Sequence, residues 1–231
     1  MYTFINSVNK LYGDMKQEEN GRYKSWEHCY IHFMNARKEQ SPNLDFLSLH
    51  LAFYLASWGM YRGSSFLLQK DYLVHIPVVE EILKPEYNQL AGIECKEYLE
   101  NKNLDLLKKL NEALVNIYNP IRLSVRNGEL RNNLSSTLIT KVLMGTLGCV
   151  PAYDRYFISG VKNKGVSTGI YNSKSILKLA NFYEDNREQL EFVRKRMKIN
   201  EFTYPQMKVL DMGFWQIGYE LDTKIDEKIP D

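Results

Sequence analysis

Apolar residues along this chain recur in steps of three and four and rarely alternate, the spacing of helices that bury one face. Phe4, Val8, Leu11 and Tyr12 outline a first helix, with Asn20-Gly21 as its closing signal. A second begins near Ser25, carries Tyr30, Phe33 and Met34, and breaks at Pro42 and Asn43. The uncharged stretch Phe46 to Tyr61 predicts a buried helix capped by Asp45, with Phe46, Leu49, Phe53, Ala56 and Met60 as its packing face and Gly59 and Gly63 as interruptions. Short helices are expected over Val78 to Leu83 and Asn88 to Leu99. Leu104, Leu107, Leu110, Leu114 and Ile117 mark a strong amphipathic helix ended by Asn119-Pro120. Leu138, Val142, Met144 and Leu147 predict a helix from Ser136 to a stop at Gly148, and Tyr153 to Val161 starts the next. A loop over Lys162 to Gly169 leads to a helix from Ser173 to about Lys198, and Met207, Leu210, Phe214 and Ile217 carry the last one.

The pattern therefore predicts an all-α, compact multi-helix globular protein. It would form one helical domain over 1–231, or two helical lobes, 1–121 and 122–221, ahead of an acidic tail at 222–231. A hydrophobic content of 44% in 231 residues supplies a substantial core and excludes a wholly disordered chain. The apolar stretch at 46–61 is shorter than the roughly 20 residues of a membrane span, so no membrane association is expected. No basic segment followed by an apolar run opens the chain, which points to a cytoplasmic protein. Cys29, Cys95 and Cys149 lie far apart with no Cys-x-x-Cys pair, as suits reduced structural thiols. His28 and His32 share a helical face but lack the glutamate of the zinc-peptidase motif, so neither a metal nor a cofactor is expected.

Charge changes this picture. The chain carries a formal net charge of +2, yet residues 122–178 hold nine Lys and Arg against two acids, Glu129 and Asp154. In this island Arg122, Arg126, Arg131, Lys141, Arg155, Lys162 and Lys164 are interleaved with hydroxyls and with Tyr153, Tyr156 and Tyr171. Phosphate recognition uses that mixture of cations, hydroxyls and amides, whereas a merely solvated face more often mixes both signs. Upstream, Ala56 to Ser65 joins small residues to Trp58, Tyr61 and Arg62. There backbone can approach a ligand, a guanidinium can fork onto a phosphate or carboxylate, and an aromatic ring can stack on a base.

Two segments carry a family resemblance. Ser136 to Gly148, followed by Val150-Pro-Ala-Tyr-Asp-Arg-Tyr-Phe157, resembles the latter half of the core of the helix-hairpin-helix DNA glycosylase superfamily, and Tyr204 to Trp215 resembles its closing helix. In that superfamily a helix ends near a glycine, a loop with proline follows, and an aspartate opening the next helix is the catalytic carboxylate. The resemblance implies that Asp154 stabilises an oxocarbenium-like sugar or activates water. Ser136 or Thr137 stands where lyase-competent members carry lysine, so the implied enzyme is monofunctional. Arg126 to Asn133 stands in place of a Leu-Pro-Gly-Val-Gly type hairpin.

The expected function is thus nucleic-acid binding, with DNA or another nucleic acid as the partner and a divergent DNA N-glycosylase-like hydrolase as the activity that the resemblance implies. Asp154 is the candidate catalytic residue. Lys141, Arg155, Lys162, Lys164, Arg126 and Arg131 are the candidate backbone contacts, and Trp58, Tyr61, Arg62 and Tyr153 the candidate pocket for an extruded base. The alternative is a non-catalytic helical binding module for nucleic acid or a protein partner, in which Asp154 only caps its helix or pairs with Arg155 or Lys141.

Overall fold

The computed structural model describes residues 1–125 and 133–226. The chain is mostly helical (71%), as the periodicity requires, and its strands form one short hairpin. It divides into two compact units that interleave in sequence: 1–19, 92–101 and 148–231 form the first, and 20–91 with 102–147 the second.

The first unit contains α1 (Tyr2–Gln17), α7 (Arg155–Asn163), α8 (Ser173–Asp185), α9 (Arg187–Arg194) and α10 (Gln206–Asp226), with β1 (Lys198–Ile199) paired antiparallel to β2 (Phe202–Thr203). Its centre is the packing of α7 on α10. Glycines let the two backbones meet: a Cβ on Gly160 would lie 1.9 Å from the carbonyl oxygen of Phe214, and one on Gly218 the same distance from that of Tyr156. Phe4 of α1 packs edge-on against Phe182 and Phe214 beside this crossing. The helix expected over 173–198 is split at Asn186, whose amide donates to the Phe182 carbonyl at 2.8 Å. Such a side chain offers the backbone an alternative to the helical ladder.

The second unit contains α2 (Lys24–Ala36), α3 (Leu44–Ser57), α4 (Ile76–Ile82), nearly all of α5 (Asn101–Val125) and α6 (Ser136–Thr146). Trp26 Nε1 of α2 donates to the Met144 carbonyl of α6 at 2.9 Å, and Gly145 gives room to the Tyr54 ring of α3. Two expectations are corrected here. First, α5 runs through Pro120 to Val125. An interior proline forfeits one ladder bond, but Tyr118 beside it is fully buried and its hydroxyl meets His75 Nδ1 at 2.8 Å, which holds the helix on course.

Second, α3 is capped by Asn43 and presents its predicted packing face to solvent. Phe46, Leu49 and Phe53 are 42%, 48% and 59% exposed, whereas Leu47, Leu51, Tyr54 and Leu55 are buried. Apolar residues surround the axis of this helix, so more than one stripe fits a three- and four-residue spacing and only the neighbours select one. The expected helix over 88–99 is instead two 3-10 turns, Pro85–Leu90 and Cys95–Leu99, separated at Gly92. All three cysteines are free and buried. Among the described residues, no helix is long and apolar enough to cross a membrane.

Candidate nucleic-acid interface

The turn ahead of Asp154 is held from α10. The Ala152 amide donates to Asp211 Oδ1 at 2.9 Å, and Asp211 Oδ2 accepts Lys208 Nζ at 2.8 Å, a pair in which both side chains are buried. Asp154 then opens α7 as its N-cap: Oδ1 accepts the amides of Tyr156 and Phe157, each at 3.1 Å. An aspartate in this position satisfies amides that the helix cannot and lies at the positive end of the helix dipole.

Tyr153, the residue before it, is fully buried and does not line an open pocket. Burial raises the pKa of its phenol, so it is protonated at neutral pH and shares a 2.6 Å hydrogen bond with Ser175 Oγ, which shares another of 2.6 Å with Ser167 Oγ. Ser167 Oγ in turn accepts the Gly169 amide at 3.4 Å. This run of hydroxyls ties the loop between α7 and α8 to the turn that carries Asp154. Gly169 leaves room for Lys162, whose Cε lies 3.2 Å from where a Cβ would stand. The lysine stem is thereby laid along the loop with its ammonium outward.

The surface so arranged is basic. From Arg155 to Tyr183 the chain has five cations, Arg155, Lys162, Lys164, Lys174 and Lys178, and no acid. All five are exposed. Arg155 packs over the Tyr156 ring at 4.4 Å, hydrogen-bonds the Tyr156 hydroxyl and pairs with Asp222 of α10 at 3.3 Å. Among the described residues, no carboxylate lies within 4.0 Å of the ammonium groups of the four lysines. Lys174 and Lys178 are one helical turn apart, so they share a face of α8.

The remaining candidates fall elsewhere. Lys141 belongs to the second unit, where it is 5% exposed and donates from Nζ to the Trp58 carbonyl at 2.7 Å, closing the C-terminal end of α3. An ammonium committed in this way is an interior cap and does not face a nucleic-acid backbone. Trp58 is half-buried beside Tyr23. Tyr61 donates to or accepts from His75 Nε2 at 2.7 Å, and burial pushes its phenol pKa up to about 12. Arg62 is exposed and lies across Gly59. Trp58, Tyr61 and Arg62 thus belong to the second unit and Tyr153 to the first. Arg126 and Arg131 lie outside the described residues.

Sequence reading missed Asp211, Ser167 and Ser175, the groups that shape the Asp154 turn and its loop. Each acts on a residue 8 to 59 positions away, and no local pattern announces such a partner. No protein-family model, curated protein or solved structure matches this chain.

Proposed function

We propose that this protein binds nucleic acid through the exposed face of α7, the loop that follows it and the start of α8. The observation that carries this reading is the acid-free run from Arg155 to Tyr183, in which four exposed lysines stand without a carboxylate partner among the described residues. Ordinary protein surfaces pair or intersperse their charges, and an ordered set of unpaired ammonium groups suits a ligand that brings its own anions at regular intervals. The phosphate backbone is such a ligand.

Catalysis at Asp154 is the finer reading. The resemblance to helix-hairpin-helix DNA glycosylases asks for an aspartate that opens a helix after a proline-containing loop, and Asp154 opens α7 after Pro151. The double acceptance of backbone amides by Oδ1 favours a second reading, in which Asp154 is a structural cap in a non-catalytic binding module. Either way the basic face would contact phosphates.

The deciding experiment is titration of labelled single- and double-stranded DNA at two salt concentrations, with Arg155→Ala and Lys162→Ala alongside. Binding should weaken steeply with salt, and removal of one phosphate contact should lower the slope of log K against log salt by about 0.9 on a duplex or 0.7 on a single strand. Absence of binding at low salt would overturn the proposal.

A further inference from the structure

The second unit contains a cavity of about 340 Å³ between the turn that follows α3, the last turn of α5 and the start of α6. Its charged lining, among the described residues, consists of two guanidinium groups, Arg62 and Arg122, from segments 60 residues apart, and no described residue that lines it is acidic. We infer that this cavity is a binding site for a phosphate monoester, a reading independent of the basic face on the first unit.

The two arginines differ in how they are held. Arg122 is 7% exposed and donates from Nη1 to Asn119 Oδ1 at 3.0 Å, so its guanidinium is a fixed part of the wall. Arg62 is exposed, and its guanidinium makes no hydrogen bond or ion pair among the described residues. Its position is nonetheless defined by Gly59, where a Cβ would lie 3.0 Å from Arg62 Nε. Gly59 has φ of +77°, which an L side chain rarely adopts, so the same residue turns the chain and makes space for the guanidinium. One arginine built in and one laid at the mouth give a site that can close on an anion from two sides.

The rest of the lining specifies the ligand further. Ser64, Ser65 and Ser135 supply hydroxyls, and Ser135 is the N-cap of the 11-residue α6, whose positive end adds to the field of the two cations. Met60, Phe66 and Leu138 form an apolar wall. A carboxylate is a monoanion with two oxygens, which a single guanidinium fork already satisfies. Two guanidiniums and several hydroxyls match the double charge and three terminal oxygens of a phosphate monoester, and the apolar wall leaves space for the group it is esterified to. The volume is at the small end of ordinary ligand sites, which excludes large cofactors.

The test is calorimetric titration of the full-length protein with phenyl phosphate, inorganic phosphate, benzoate and phenol. Phenyl phosphate should bind more tightly than inorganic phosphate and benzoate, and phenol should give no heat. Arg62→Ala should weaken phenyl phosphate by at least about tenfold, with an unchanged melting temperature because the Arg62 side chain is exposed and makes no hydrogen bond among the described residues. A Lys162→Ala, Lys164→Ala double variant should bind it as the parent does. No binding at millimolar phenyl phosphate, equal affinity for benzoate, an unweakened Arg62→Ala variant, or loss of binding in the lysine variant would each overturn the assignment.

Discussion

Asp211 holds the amide of Ala152 with one carboxylate oxygen and the ammonium of Lys208 with the other, so a buried ion pair on α10 sets the turn from which Asp154 projects. Both charged side chains are almost fully enclosed, at 3% and 4% exposure, where removal of one partner costs far more than the pair contributes. Asp211→Ala is therefore expected to destabilise the protein by about 3–5 kcal/mol in urea unfolding. The Ala152 amide, deprived of its acceptor, should also exchange faster. A change within about 0.5 kcal/mol would show that the pair is not what organises the turn.

The crossing of α7 and α10 depends on two glycines, because a methyl group at Gly160 or Gly218 would overlap a carbonyl oxygen on the opposing helix. Gly160→Ala and Gly218→Ala should each cost about 1–3 kcal/mol, as overpacking against backbone does. Gly13 of α1 provides the contrast, since a Cβ there meets nothing within 4 Å. Gly13→Ala should stabilise by about 0.5–1 kcal/mol. Thermal unfolding of the three variants would check the opposite signs.

The exposed stripe on α3 makes a similar contrast within one helix. Phe53→Ser, at 59% exposure, should change stability by no more than about 0.5 kcal/mol, whereas Leu51→Ala, with no exposure, should cost about 2–5 kcal/mol. Reversal of that order would mean that the other face of the helix is the packed one.

His75 is fully buried between the hydroxyls of Tyr61 and Tyr118, and burial lowers its pKa from the ordinary value of 6.5 to about 3. Its folded pKa lies below its unfolded one, so the unfolded chain takes up a proton that the folded protein refuses. The stability it contributes is complete above about pH 6.5 and is lost as the pH falls towards 3. At pH 5 the loss from this group should be about 2 kcal/mol. Urea unfolding at pH 8 and pH 5 should show that component in the parent protein and not in His75→Gln.

Asp154 can be tested as a cap and as a catalyst separately. Asp154→Ala removes the acceptor for two α7 amides and should cost about 1 kcal/mol. Asp154→Asn keeps an amide oxygen in its place and should leave stability and DNA affinity nearly unchanged. If the parent releases bases from DNA, Asp154→Asn should abolish release; if the parent releases none over any damaged or mismatched substrate, Asp154 is a cap alone.

Local chemistry was enough to reveal much of this protein. The three- and four-residue spacing of Leu104, Leu107, Leu110 and Leu114 marks α5, Asp154 ahead of Tyr156 and Phe157 marks a helix start, and the charge run from Arg155 to Lys178 is visible without coordinates. These are interactions over a few residues, whose partners stand in the same stretch of chain. The face that α3 buries, the passage of α5 through Pro120, the interior place of Lys141 under Trp58 and the meeting of Arg62 with Arg122 at one cavity were decided by tertiary packing. Each depends on which distant segment fills the space beside it. A helix with apolar residues all round, a lysine in a basic run and an arginine after a glycine turn carry no local mark of that neighbour, because burial and long-range hydrogen bonds are properties of the assembled core.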